Sequence, residues 1–335
     1  MSVVGQHHRT RVFVVAQDSS EVGNLVFRLN LKHLFSSSQP PQPAEVLNLP
    51  DAVTCFKQVN HLERMAFAAS ASGDVIVAAS SAGYGGRTLM YDAGSGSVTP
   101  GPDMRSVKQH LFLVPVGDHL FFGISAYSRL DIPQGPRFET LQQLSPGRWG
   151  WTAVQDPPGL ARGQREDVRA YFVAGARVWV SLQRQGTYSF DTARHRWRKE
   201  GAWELPVLGR ALLVPDFMGT GRRLLFGFRR SGDPHLCAVD MDARPPVILR
   251  SWPEAWPTHA WAAGYVLCRF PAQMTYFGGG RFFISVTNQT TDEKQRGSVL
   301  SFTAVELTSE LQLIKRQSSC YLMPPSSRGA PAYVI

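Results

Sequence analysis

Cysteine is scarce in this chain. Its four residues, Cys55, Cys237, Cys268 and Cys320, are widely separated and make no C-x-x-C spacing, so neither a zinc site nor a disulfide framework is signalled, and they read as buried free thiols. Long apolar runs are also missing. No stretch approaches the ~18 uninterrupted apolar residues of a membrane span, so no membrane partner is expected. The first residues, MSVVGQHHRTRVFVVAQDSS, hold an apolar run only from Val12 to Ala16 and no small-residue cleavage site after it, which argues against a secretory signal and for an intracellular protein of cytoplasm or nucleus. Lys/Arg runs of the kind that mark nucleic-acid tails are absent, so a nucleic-acid partner has no motif behind it. Long amphipathic helical stretches are absent too.

What is present suits many short strands. The chain has 335 residues, 43% of them hydrophobic and 18% charged, with 30 Gly and 23 Pro. That composition is globular and favours strands joined by turns, and an all-β fold of this length can be one domain, so 1–335 is read as a single unit. The net charge is +9, carried mostly by Arg spread over nearly every segment. Such a surface attracts anions in general without naming one.

The stretch from Ala170 to Glu200 shows a whole structural unit. Ala170 to Val173 and Val178 to Leu182 flank a tight turn, Thr187 to Phe190 alternates polar and aromatic residues and ends in Phe190-Asp191, and a charged segment with Trp197 follows. Four short antiparallel strands of this kind make one propeller blade. The same pattern is read at about 10–50, 65–104, 110–155, 169–200, 210–252 and 273–324, giving six blades. Tyr91-Asp92 and Val239-Asp240 stand where Phe190-Asp191 stands. In the first unit a third strand is expected at Glu45 to Leu49, and the missing fourth from a terminal segment, either Val3 and its neighbours or Tyr321 to Met323.

Two strands around a Gly-containing turn, then aromatic-Asp, a turn and Trp, resemble a degenerate kelch repeat. The departure is at the end of the second strand, where Ala79-Ser80, Ser181-Leu182 and Gly227-Phe228 replace a Gly-Gly pair. More narrowly, LMYDAGSGSVTPGPDMRSVK from Leu89 to Lys108, with Trp149-Gly150-Trp151 downstream, resembles a grass family of kelch-like β-propeller proteins, a plant domain of unknown function. The resemblance covers most of the chain and implies a fold and a plant source, with no activity attached. Kelch relatives include a copper oxidase, but copper needs converging His and Tyr ligands, and the nine His here are scattered.

No catalytic, cofactor or metal residues are therefore assigned. Gly278-Gly279-Gly280 lies between two strands and reads as a hairpin turn, since phosphate cradles open a helix and carry Lys-Ser/Thr. No serine sits in a Gly-x-Ser-x-Gly context. Trp149 and Trp151 read as packing aromatics ahead of a stacking platform. In a four-stranded meander the second-to-third loops share one end of the sheet, and here they are long and varied. Tyr84, Tyr127, Arg129, Arg229 and Arg230 on those loops are the candidate binding residues, Tyr and Arg being favoured interface anchors. The function expected is a monomeric, non-catalytic scaffold for an unidentified protein partner. A sugar or small-molecule enzyme with an axial pocket, or an RNA- or phosphate-binding propeller, is the alternative.

Overall fold

The computed structural model describes residues 11–31, 33–36, 46–60, 63–80, 85–106, 108, 110–125, 136–158, 168–229, 235–253, 265–267, 272–290, 298–325 and 333–335. They form a nearly all-β chain. It divides into two compact units, one of Met1–Lys57 with Val214–Ile335, the other of Gln58–Leu213.

The second unit holds three four-stranded antiparallel meanders in chain order. The sheet of β5 (Met65–Ala69), β6 (Val75–Ser80), β7 (Thr88–Asp92) and β8 (Ser97–Pro100) comes first. Next are β9 (Leu111–Pro115), β10 (Leu120–Ser125), β11 (Phe138–Ser145) and β12 (Arg148–Val154), then β13 (Val168–Ala174), β14 (Arg177–Leu182), β15 (Gly186–Asp191) and β16 (Arg196–Gly201). β17 (Val207–Val214) then runs parallel to β13, with Ala170 opposite Gly209 and Tyr171 opposite Arg210.

Burial explains why these strands differ in composition. Every residue of β5 is buried and all but the first of β6, whereas in β8 none is. The first strand of a blade is covered on both faces and reads as a continuous apolar run, while the last faces water and carries the polar residues. Neighbouring sheets share the cores that result. Ala66, Val77 and Met90 pack with Leu113, Phe121 and Trp151, and Phe122, Ile124 and Phe138 pack with Val178, Val180 and Phe190. Trp151 is buried with its indole N–H on Thr88 Oγ1 at 3.1 Å, and a Cβ at Gly123 would lie 3.1 Å from its ring. The two tryptophans of Trp149-Gly150-Trp151 are packing residues, Trp149 standing 6.0 Å from Phe121.

The aromatic-Asp repeat has a local cause. Asp92 Oδ1 accepts the Ser95 N–H at 2.7 Å, Asp191 Oδ1 those of Ala193 and Arg194 at 3.1 and 3.0 Å, and Asp240 Oδ1 that of Asp242 at 2.8 Å. Each aspartate ends a third strand and caps the turn into the fourth by binding backbone two or three residues on. These bonds hold the carboxyls of Asp92 and Asp191 below the ordinary range.

In the other unit, β18 (Leu224–Arg229), β19 (Leu236–Asp240) and β20 (Val247–Trp252) form one antiparallel set. β23 (Arg281–Thr290), β24 (Ser298–Leu307) and β25 (Leu313–Leu322) form another, with β21 (Tyr265–Leu267) and β22 (Gln273–Tyr276) both on β23. Gly278-Gly279-Gly280 is the β22–β23 hairpin turn, with φ of 80°, 57° and 73°. A Cβ on Gly280 would stand 2.1 Å from the Leu307 carbonyl oxygen, so both conformation and space require glycine there.

The opening sheet corrects two expectations. Its order is β26 (Tyr333–Val334), β1 (Arg11–Asp18), β2 (Gly23–Asn30), β4 (Thr54–Lys57). The run expected as its third strand forms β3 (Val46–Asn48) instead, parallel to β25 with Val46 opposite Cys320. The reason is burial. Val46 and Leu47 stay exposed, whereas Phe56 on β4 is completely covered beside β2. The expected terminal strand is present but does not come from Tyr321 to Met323. Tyr321 lies in β25, Val3 falls outside the described residues, and the added strand is β26, with Phe13 and Ile335 exchanging N–H···O bonds of 3.0 Å each way. Val12, Val14 and Val334 join Phe283, Leu300 and Phe302 in this unit's core.

Candidate functional site

The second-to-third connections grow from hydrogen-bonded roots. Ser80 N–H donates to Arg87 O at 2.8 Å, Ser125 N–H to Arg137 O at 3.0 Å, and Arg229 N–H to His235 O at 2.8 Å. In each case the last residue of a second strand is tied to the residue just before the third strand, so the loop leaves a closed base. An arginine stands at all three bases.

Two of these bases, both in the second unit, rest on buried carboxylates. Under the β6–β7 loop, Glu63 is wholly buried. Its Oε2 accepts the Val59 N–H at 2.6 Å and Arg87 Nη2 at 2.8 Å, while its Oε1 accepts Arg87 Nε at 3.2 Å and the Ser80 hydroxyl. Under the β10–β11 loop, Glu139 is equally buried and accepts the N–H groups of Arg105 and Ser106 at 2.9 and 3.1 Å, the Ser106 hydroxyl at 2.9 Å and Lys108 Nζ at 2.5 Å. Lys108 Nζ also donates to Pro136 O at 2.9 Å, so the ammonium fastens the end of the loop to the carboxylate beneath it. Burial lowers the Lys108 pKa, with Glu139 opposing that shift.

The β14–β15 connection is built differently. It is only three residues, 183–185, and its root uses Ser181 Oγ, which accepts the Leu205 N–H at 2.9 Å and the Thr187 hydroxyl at 3.2 Å. Serines at the ends of β6 and β14, where the kelch pattern has Gly, are thus side-chain partners of the loop roots.

Of the candidate binding residues, Arg229 is described: it ends β18, exposed, at the root of its loop. Tyr84, Tyr127, Arg129 and Arg230 lie outside the described residues. Arg87, Arg137, Glu63 and Glu139 were not picked out from the sequence. In sequence, a carboxylate just ahead of β5 and one early in β11 carry no mark of their role, and only their burial distinguishes them.

The described thiols are buried or half-buried. Cys237 is buried with Sγ on Gly227 O at 3.4 Å, and burial pushes its pKa up to about 12. Cys320 is buried and Cys55 half-buried, both thiols raised by burial, and Cys268 lies outside the described residues. Among the described residues no three His, Cys, Asp or Glu side chains stand close enough to hold a metal ion. No described helix is long and apolar enough to cross a membrane.

Comparison with known proteins gives a family and distant likenesses. The profile of a family described as a protein of unknown function (DUF1668) matches residues 9–321. A search of curated proteins found no match. Among solved structures, TolB from Acinetobacter baumannii is similar at 10% identity over 96% of this chain and 68% of its own, with a TM-score of 0.46. A functionally unknown protein from Desulfotomaculum acetoxidans is similar at 8% identity, covering 91% and 79%, with a TM-score of 0.48. The computationally designed Ika8 protein is similar at 8% identity, covering 90% and 70%, with a TM-score of 0.44. At such identities none of the three bears on what this chain does.

Proposed function

We propose that this chain, which belongs to the DUF1668 family, is a non-catalytic protein-interaction scaffold, a kelch-like plant β-propeller that binds through its second-to-third loops. The observation that carries this reading is the construction of the loop bases. Backbone bonds close three of them, and two stand on buried carboxylates whose hydrogen bonds are taken up by the fold itself. Varied loops on a rigid base are the arrangement binding surfaces use, because the scaffold limits the entropy lost on binding. Glu63, Glu139 and Lys108 are spent on holding those bases, which leaves them poorly placed for proton transfer. The partner is a protein presenting carboxylates to loop arginines such as Arg229. The site of action is the cytoplasm or nucleus.

The test is affinity capture from source tissue followed by binding measurements on the captured partner. Changing Tyr127 and Arg129 together to Ala, and separately Arg229 and Arg230, should weaken binding by about tenfold or more with Tm unchanged, the loss expected for interface anchors. Unchanged affinity in both double variants would refute the loop surface. Equal loss on neutralising Arg162, Arg165 and Arg169 would mean that general charge, not a surface, does the binding.

A further inference from the structure

The outer strand of the third meander carries a charge concentration that the fold does not need. β16 pairs with β15, and among the described residues no strand covers its other edge. The turn and strand read Arg194-His195-Arg196-Trp197-Arg198-Lys199-Glu200. Exposed sheet edges are often protected by charge. Corresponding strands here are not: β8 has no charged residue, β12 only Arg148 and β20 only Arg250. Edge protection therefore does not account for three cations on this strand, with a fourth, Arg194, in the turn before it.

The nearby carboxylates are already engaged. Asp191 holds the turn N–H groups through Oδ1 and Arg177 at 3.2 Å through Oδ2, with Arg194 at 4.0 Å. Glu200 is sunk, with its side chain 4% exposed, and bonds Ser189 Oγ at 2.6 Å and Arg198 at 2.7 Å. Arg194 and Arg198 are 77% and 67% exposed, and Arg196 and Lys199 are exposed as well, Arg196 taking no part in either pair. The strand is held firmly. Trp197 packs 5.1 Å from both Phe138 and Phe190, and Lys199 lies over the Tyr188 ring at 5.5 Å.

We propose that the free edge of β16 is a docking strand for an acidic extended peptide segment, which adds to the sheet by main-chain pairing and sets its carboxylates along the face of Arg194, Arg196 and Arg198. Backbone pairing supplies the affinity and alternate side chains the selectivity. A nucleic acid fits less well. It offers no strand to pair, and the aromatic groups that could stack on bases are committed, Trp197 to the core and its indole N–H to Gln155 O. This surface is separate from the loops, so its failure would leave the loop reading standing.

The probe is a fluorescent peptide of about six residues, the usual strand length, alternating Glu with Val. Its controls are a Gln/Val version and a Glu/Val version N-methylated along one edge. Binding is read by anisotropy in about 50 mM salt, where surface charge is weakly screened. The acidic peptide should bind, and the neutral and N-methylated ones should bind at least about tenfold more weakly. Replacing Arg194 and Arg196 together with Ser, with Tm unchanged, should cost about tenfold, as loss of two exposed ion pairs implies. Equal binding of the N-methylated peptide would overturn strand addition. Failure of the acidic peptide to bind, or its displacement by single-stranded oligouridylate at lower concentration, would overturn the proposal outright.

Discussion

Removing the carboxylate beneath the β10–β11 loop tests whether that loop's base is as firmly built as its hydrogen bonds suggest. Glu139→Leu takes the acceptor from two backbone N–H groups and strips the buried Lys108 ammonium of its counter-charge, leaving it and the Ser106 hydroxyl with Pro136 O. Breaking a buried pair from one side costs about 3–5 kcal/mol, a large share of the ~5–15 kcal/mol that holds a typical domain together. Lys108→Met is milder. The carboxylate keeps three donors and loses one charge-assisted bond, worth about 2 kcal/mol. In the double variant no ammonium is stranded, so its cost should fall below the sum of the singles by about 1–3 kcal/mol. Urea unfolding followed by tryptophan fluorescence reads this directly, since Trp149 and Trp151 lie in the same sheet as Glu139. Burial also holds Lys108 below its ordinary 10.5. Just below that pH the unfolded chain binds more protons than the folded one, so stability rises with pH in the window, and Lys108→Met should lose the rise. A cost below about 1 kcal/mol for Glu139→Leu, or strict additivity in the double variant, would refute the account.

Two further outcomes follow from single features. Cys237, raised by burial from 9.0 to about 12, should make stability fall as pH climbs between those values, by up to about 1.4 kcal/mol per pH unit, because there the folded state holds the proton that the unfolded chain gives up. The stability difference between wild type and Cys237→Ala should shrink across that window, and a constant difference would show that the thiol ionises as easily in the fold. Deleting residues 333–335 removes two main-chain bonds to Phe13 and the cover that Val334 gives the core, and should lower stability by about 2–3 kcal/mol in calorimetry. An unchanged Tm would mean that β26 contributes nothing to the opening sheet.

Local chemistry made much of the fold legible from the residues. β5, β7 and the strands from Val168 to Gly201 could be read from apolar runs and turn residues because each strand's pairing partner is its neighbour in sequence. The aromatic-Asp signal worked for the same reason, since the aspartate caps a turn two or three residues away. Where pairing spans the chain, the residues misled. Val46–Asn48 lies in an apolar run that reads as a strand, yet its partner lies at Cys320 to Leu322, while the plainer Thr54–Lys57 took the place beside β2. β26, too short to register as a strand, gains its identity only from β1.

The candidate site divides along the same line. That second-to-third loops share one end of each meander follows from strand direction, which sequence order alone determines; Arg229, expected on such a loop, is the last residue of β18 at its root. That Glu63 and Glu139 are buried under loop bases, with Arg87 and Lys108 as their counter-charges, was decided by tertiary structure. Glu63 is 24 residues from Arg87 and Glu139 is 31 from Lys108. A carboxylate reveals nothing of its burial through its own identity; its role depends on which distant donors the packing of two strands brings to it.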